Sequence, residues 1–208
     1  LRSVRLDRTD ELGCFRFVVN GHEIMAKGTN WVPMDAFHCR DRERYPKALE
    51  LLRDIGCNIV RCWGGNVYED HEFFDFCDEN GIMVWQDFAM ACAIYPQEEK
   101  FTHMIENEAV YQVKRLRNHS SLVLWAGDNE VDGAYAGGWF GVQRDPNNNI
   151  ITRNVIKGVL ENHDLSRPYL PSSPFVSEAA YKNKRILPED HLWGPRDYFK
   201  GDYYRNTK

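Results

Sequence analysis

Apolar and polar residues alternate through residues 1–8 and again through residues 14–28, the two-residue period of half-buried strands. Asn20-Gly21 interrupts the second run, and this pair suits a tight hairpin turn. After that the period changes, and strand-like and helix-like stretches follow one another. Residues 45–58 place Ala48, Leu51, Leu52 and Ile55 on one helical face, with Pro46 in the first turn and Gly56 at the stop. A short strand, NIVRCW, comes next. A helix over DHEFFDFCDENG stops at Gly81, and the strand IMVWQDF follows it. Residues 98–118 form a long helix, with Phe101, Met104, Ile105, Ala109, Val113 and Leu116 at helical spacing. The apolar run Leu122-Val123-Leu124-Trp125 is the next strand. It turns abruptly into Gly127-Asp128-Asn129-Glu130. A further helix groups Val155, Ile156, Val159 and Leu160, and residues 167–170 begin another strand.

These central strands are short, apolar and not alternating. Strands buried on both faces read this way, so the sheet should be parallel. Alternating strand and helix allow a barrel or a doubly wound sheet. No glycine-rich phosphate loop follows any strand, which weakens the nucleotide-binding versions. Every strand ends in polar or aromatic residues. The first ends in Asn30-Trp31 and reaches Asp35, the second ends in Arg61 and Trp63, the third in Gln86-Asp87, the fourth in Asp128-Asn129-Glu130 and the fifth in Ser172-Ser173. In a (β/α)8 TIM barrel the carboxyl ends of the strands converge and build the site on one face. Ordinary loop-start polarity could cover one or two strands but strains to cover all of them.

Composition narrows the function classes. Hydrophobic residues make up 43% of the 208, enough for a substantial core. The formal net charge of -5 argues against a nucleic-acid partner. No apolar run reaches the length of a membrane helix, and the basic residues are scattered, so no membrane partner is expected. Six cysteines lack CxxC spacing, and Cys57, Cys62 and Cys77 sit in apolar stretches, which favours buried free thiols over a disulfide framework. The chain opens on Leu1 with no signal-like segment and reads as a processed product or an excised portion of a longer one.

The candidate chemistry lies at the strand ends. Sugar hydroxyls need bidentate acceptors and fork-shaped donors, which Arg61, Asp87, Asn129 and Glu130 would supply. Arg61 and Asp87 also fit a structural ion pair beneath a site. Glu130 suits a glycosidic general acid, since an apolar setting near a tryptophan raises a carboxyl pKa. It suits a carboxylate at a helix start equally well. Trp31, Trp63 and Trp193 read as sugar-stacking walls, and Trp85 and Trp125, inside strands, as core.

The chain resembles glycoside hydrolase family 2, most closely its β-mannosidase branch. The resemblance rests on FVVNGHEIMAKGTNWVPMDAF, NIVRCWGGNVYE, CDENGIMVWQDFAMACAIYP, LVLWAGDNE, RPYLPSSP and HLWG, in that order. It implies an incomplete (β/α)8 barrel with about six of the eight strands. Residues 1–23 would be a lead-in from a preceding β-sandwich and residues 24–208 the partial catalytic barrel. It implies an exo-acting retaining β-mannosidase. Glu130 would be its general acid/base and Asn129 the contact to the 2-hydroxyl. Arg61 and Asp87 would surround the terminal sugar, and Trp31, Asp35, His191 and Trp193 would form subsite walls. No cofactor or metal is implied. The expected partners are a β-mannoside glycan and the other domains of the full-length enzyme. Asp128 and Asn66 depart from the pattern, which more usually has Asn and Gly there.

A retaining mechanism needs a second carboxylate roughly 5–5.5 Å from the first. The family carries it in a Ser-Glu-x-Gly-like motif on the seventh strand, and this chain is expected to stop after the sixth. Glu178 has the Ser-Glu pair but lacks the Gly and follows directly on the fifth-strand motif, so it is not expected to be the nucleophile. The fragment alone is therefore expected to be inactive and, with open barrel edges, prone to self-association. The competing readings are another family 2 glycosidase (β-galactosidase, β-glucuronidase or exo-glucosaminidase) or a non-catalytic carbohydrate-binding barrel.

Overall fold

The structure is a computed structural model that describes residues 2–8, 14–183, 189 and 191. Three short strands open it: β1 (Val4–Asp7), β2 (Arg16–Val19) and β3 (His22–Ile24). They form an antiparallel sheet in the order β1-β2-β3. The β2–β3 turn is the Asn20-Gly21 hairpin, with φ of 51° and 82° at the two residues.

The second sheet holds five parallel strands in sequence order: β4 (Gly28–Trp31), β5 (Ile59–Cys62), β6 (Met83–Asp87), β7 (Leu122–Ala126) and β8 (Tyr169–Leu170). Helices α1 (Asp41–Asp54), α2 (His71–Asn80), α3 (Glu99–Leu116) and α5 (Ile156–His163) connect them. The short α4 (Val131–Gly137) follows β7, and α6 (Glu178–Asn183) follows β8. Parallel strands joined in sequence by helices are a barrel wall, because each crossover returns the chain to the same end of the next strand. The fold is a partial TIM barrel.

The parallel strands separate two cores. Val60, Cys62, Val84 and Trp125 pack outward against Leu49, Phe73, Phe74 and Leu116 of the helices. Ile59, Met83, Leu124, Ala126 and Leu170 point inward, where Phe17 of the small sheet joins them. The register between β6 and β7 slips: Val84 faces Leu122, but Trp85 faces Leu124. The extra residue puts both Val123 and Leu124 on the inner face, and the β7 end is offset relative to β6. Proline-free strands carrying mostly β-branched or large apolar residues, all buried in β7, explain why the sequence showed no alternation there.

The first helix differs from its sequence reading. It starts at Asp41, so Pro46 lies in its second turn rather than its first. The residue four positions earlier, Arg42, is exposed, and its carbonyl can turn to water. The buried stripe is Tyr45, Leu49 and Leu52, with Ala48 partly covered, whereas Leu51 and Ile55 are 56% and 73% exposed. Leu51 lies a third of a turn off the stripe that Tyr45 begins, so it cannot share it. Helices α2 and α3 fall as the spacing indicates, α2 ending at Gly81 with φ of 67°. The helix read over residues 152–164 opens with a π-helical turn, Ile151–Val155, before α5.

Candidate active site

The cleft forms where the strands end. Asn129 and Glu130 leave β7 across the mouth of the sheet, and backbone bonds hold them on both sides. The Asn129 amide donates to Met90 O at 2.9 Å, and Asn129 O accepts from the Cys92 amide at 2.8 Å. The Glu130 amide donates to Ser173 O at 2.8 Å. Glu130 itself sits in left-handed backbone space, φ 60° and ψ 13°, directly before α4. A non-glycine residue is held there at a cost of order 1–2 kcal/mol. The three-way backbone tie offsets that cost and points the carboxylate into the cleft.

Arg61, at the third position of β5, reaches over the inner face. Its Nη2 donates to Asp87 Oδ2 at 2.7 Å and to Asn129 Oδ1 at 3.0 Å, and its Nε donates to Asp87 Oδ1 at 3.3 Å. The Asp87 carboxylate also accepts from Trp85 Nε1 at 2.9 Å and from the Gly64 amide at 3.0 Å. Burial pushes the Asp87 pKa up, and the Arg61 charge and these donors pull against it. Because Arg61 is a donor only, the Asn129 amide must present its oxygen to it. Asn129 Nδ2 is thereby turned the other way, toward Cys92 Sγ at 3.3 Å. Trp85 contributes more than core packing, since its ring also lies 5.4 Å beneath the Arg61 guanidinium.

Both oxygens of Glu130 meet donors. Cys92 Sγ donates to Oε2 at 3.3 Å, and His191 Nδ1 lies 2.8 Å from Oε1. Burial and the Glu130 carboxylate push the Cys92 thiol up to about 11, so it stays protonated. On its far side His191 Nε2 lies 3.1 Å from Ser173 Oγ and 3.4 Å from Arg61 Nη1. Ser173 Oγ is 2.9 Å from Glu189 Oε2, and the Phe175 amide donates to Glu189 Oε1 at 2.8 Å. Burial pushes the Glu189 carboxyl up to about 8. Ser173 Oγ donates to Glu189 Oε2 and also meets His191 Nε2, so Ser173 links the buried Glu189 to the imidazole that contacts Glu130.

Asp128 does not share the cleft. It is fully buried, and its Oδ1 accepts from Ser172 Oγ and from the Val131 amide. Burial, with Asp132 close by, pushes its pKa well above the ordinary aspartate value. Asp132 is held by a two-pronged pair with Arg153, both arms 2.6 Å long.

Asn30, Val32, Arg61, Trp63, Cys92, Asn129, Glu130 and His191 line a cleft of about 480 Å³. Of the residues singled out in the sequence, this gathers Arg61, Trp63, Asn129, Glu130 and His191, with Asp87 held beneath Arg61. Two others lie elsewhere. Trp31 is 3% exposed in the helix-side core, and its indole N–H donates to Glu69 Oε1 at 3.0 Å. As the fourth residue of β4, it pairs with Cys62, which also faces the helices. Asp35 is engaged locally by Arg44 at 2.8 Å and the Phe37 amide at 3.0 Å. Trp193 lies outside the described residues. Glu178 sits on α6 with a side chain 73% exposed, paired to Lys182. Sequence reasoning missed Cys92 and Glu189: a lone cysteine in ACA and a glutamate in PED carry no pattern. A wider opening of about 970 Å³ lies against the small sheet, where Arg16 and Glu23 are paired at 2.9 Å.

The sheet and cleft define a (β/α)-barrel protein whose polar site is built at the carboxyl ends of its parallel strands. Residues 13–168 match the profile of the glycosyl hydrolases family 2 TIM barrel domain, and the chain belongs to that family. Mouse β-mannosidase is 42% identical over 168 residues, which is 77% of this chain and 19% of the mouse protein. Goat β-mannosidase is 39% identical with the same coverage. The crystal structure of a β-D-mannosidase from Dictyoglomus thermophilum superposes with a TM-score of 0.79 at 41% identity, covering 86% of this chain and 22% of that one. An exo-chitosanase from Amycolatopsis orientalis, at 20% identity and a TM-score of 0.65, covering 83% of this chain and 19% of its own, shares the fold. The chain thus spans 19% of the length of the mouse and goat relatives.

Proposed function

We propose that this chain carries the general acid/base and much of the terminal-sugar pocket of a retaining, exo-acting β-mannosidase. The observation that carries the reading is Glu130 itself: a carboxylate held at a strained backbone position, aimed into a cleft, with donors on both oxygens. Two relatives near 40% identity bear the β-mannosidase name, which favours mannose over the other sugars of the family.

In this reading Glu130 protonates the glycosidic oxygen as the bond breaks. It then takes a proton from the water that releases the sugar. His191 and Cys92 keep its carboxyl group in one place through both half-reactions. Asn129, its oxygen claimed by Arg61, offers N–H to a sugar hydroxyl. Arg61 has its donors shared between Asp87, Asn129 and the rim of the cleft, so it fixes the floor rather than moving with substrate. Trp63 supplies an apolar wall for a pyranose face. The nucleophile is expected from outside the described residues. Asp87 is bound by Arg61, and Glu189 is separated from Glu130 by Ser173 and His191.

The test is a panel of aryl β-glycosides offered to the full-length protein. The β-mannoside should have the highest kcat/KM. A preference for the β-galactoside, β-glucuronide or β-glucosaminide would move the protein to another branch, and binding without turnover of any would make it a carbohydrate-binding barrel.

A further inference from the structure

Outside the cleft, three side chains converge where the β4–α1 and β5–α2 connections meet. His38, Asp41 and Glu69 each bring one ligand atom to within 4.8 Å of the others. Asp41 and Glu69 are each only 1% exposed. Each uses one carboxylate oxygen: Asp41 Oδ2 lies 2.9 Å from His38 Nδ1, and Glu69 Oε1 accepts from Trp31 Nε1 at 3.0 Å. The other oxygens, Asp41 Oδ1 and Glu69 Oε2, are buried and reach no donor among the described residues. Of the nearby guanidinium groups, Arg40 lies over the Phe37 ring, 5.0 Å from its centroid, and three others are engaged elsewhere. Arg42 pairs with Asp70 and Glu72, Arg44 with Asp35, and Arg115 donates to Glu69 O and Gln112.

Two buried carboxylates of one cluster, each with an unanswered oxygen, are poorly matched by one half-exposed imidazole. A divalent cation answers both oxygens at once. We propose that His38, Asp41 and Glu69 form a binding site for a divalent first-row transition ion of the Mn²⁺ or Zn²⁺ kind. One imidazole with two carboxylates suits such ions, whereas Ca²⁺ takes an all-oxygen shell. The Trp31 indole acts as the outer partner that orients the Glu69 carboxylate. The ion ties the segment before α1 to the segment before α2. Asn66 ties the same two connections, donating to Trp31 O at 3.1 Å. Its role is structural, since none of its ligands lines the cleft. A second cluster, Asp75, Asp78 and His119, lacks this feature. Both Asp78 oxygens are already taken, by Ser120, Ser121 and His119.

The experiment titrates chelator-treated protein with Mn²⁺, followed by electron paramagnetic resonance, because Mn²⁺ has little affinity for the six thiols. Zn²⁺ competition gives the second reading. One Mn²⁺ per chain should bind and be displaced by Zn²⁺, with the thermal midpoint rising as sites fill. His38→Asn alters an exposed ligand and leaves the core intact, and it should weaken Mn²⁺ binding at least tenfold. Glu69→Gln, which can still accept from Trp31, should do the same, while His119→Asn should not. Absence of a stoichiometric site would overturn the proposal. So would binding lost in His119→Asn but kept in His38→Asn and Glu69→Gln.

Discussion

Replacing Glu189 by Gln isolates the group at the far end of the hydrogen-bonded chain that leads to Glu130. Glu189 is held up to about 8 by burial, against an ordinary value of 4.5. The native protein therefore keeps a proton that the unfolded chain has released between those values. By linkage, this stabilisation is whole below the unfolded pKa and is lost as pH rises through the folded one. Each pH unit in that window costs the wild type about 1.4 kcal/mol, so the loss reaches roughly 3 kcal/mol by pH 7. The amide introduced by Glu189→Gln is neutral at every pH. Its oxygen can accept from the Phe175 amide, and its NH₂ can meet the Ser173 hydroxyl oxygen. Urea denaturation from pH 4.5 to 8.5 should show equal stabilities at the acid end. The variant should then gain steadily until about pH 8. A difference that does not change with pH, or a wild type that is the more stable at pH 8, would refute the assignment of a buried, protonated Glu189.

Other changes probe the floor and the thiol. Arg61→Met leaves Asp87, 1% exposed, without its counter-charge, and should cost about 3–5 kcal/mol in urea unfolding; a loss under about 1 kcal/mol would mean the pair is not buried as described. Cys92 is exposed to reagent yet pushed up to about 11. At pH 8 it should alkylate about two orders of magnitude more slowly than an open peptide thiol, and faster once Glu130 is neutral in Glu130→Gln, as mass spectrometry would read. Gly64→Ala places a Cβ 2.2 Å from Met90 O, the carbonyl that holds the Asn129 amide. It should destabilise by about 1–3 kcal/mol, and a neutral result would show that the loop after β6 yields freely.

The strands and helices were legible because β7 is an unbroken apolar run, β5 and β6 begin as one, and α1 and α2 each end at a glycine, Gly56 or Gly81, where positive φ is needed. The carboxyl-end residues Arg61, Asp87, Asn129 and Glu130 were legible because parallel strands leave their polar residues at one end. The facing of individual side chains was not. Trp31 lies at a strand end like the others, but strand parity turns it to the helices, and nothing in the local sequence states the parity of a four-residue strand. Leu51 and Ile55 fit a helical face as well as Leu49 does, until α2 and β5 decide which face is covered. Glu189 comes to Glu130 only by way of Ser173 and His191, a contact across the β8 end that no spacing records.

The central claim is that Glu130 gives a proton to the leaving group. Glu130→Gln in the full-length protein, assayed on two β-mannosides, addresses it. One has a poor, sugar-like leaving group, and the other has a dinitrophenyl group that needs no proton. The account predicts that turnover of the first falls by about 10²–10⁴ while formation of the glycosyl-enzyme from the second, read as a burst, is nearly unchanged. Undiminished hydrolysis of the sugar-like substrate would contradict it.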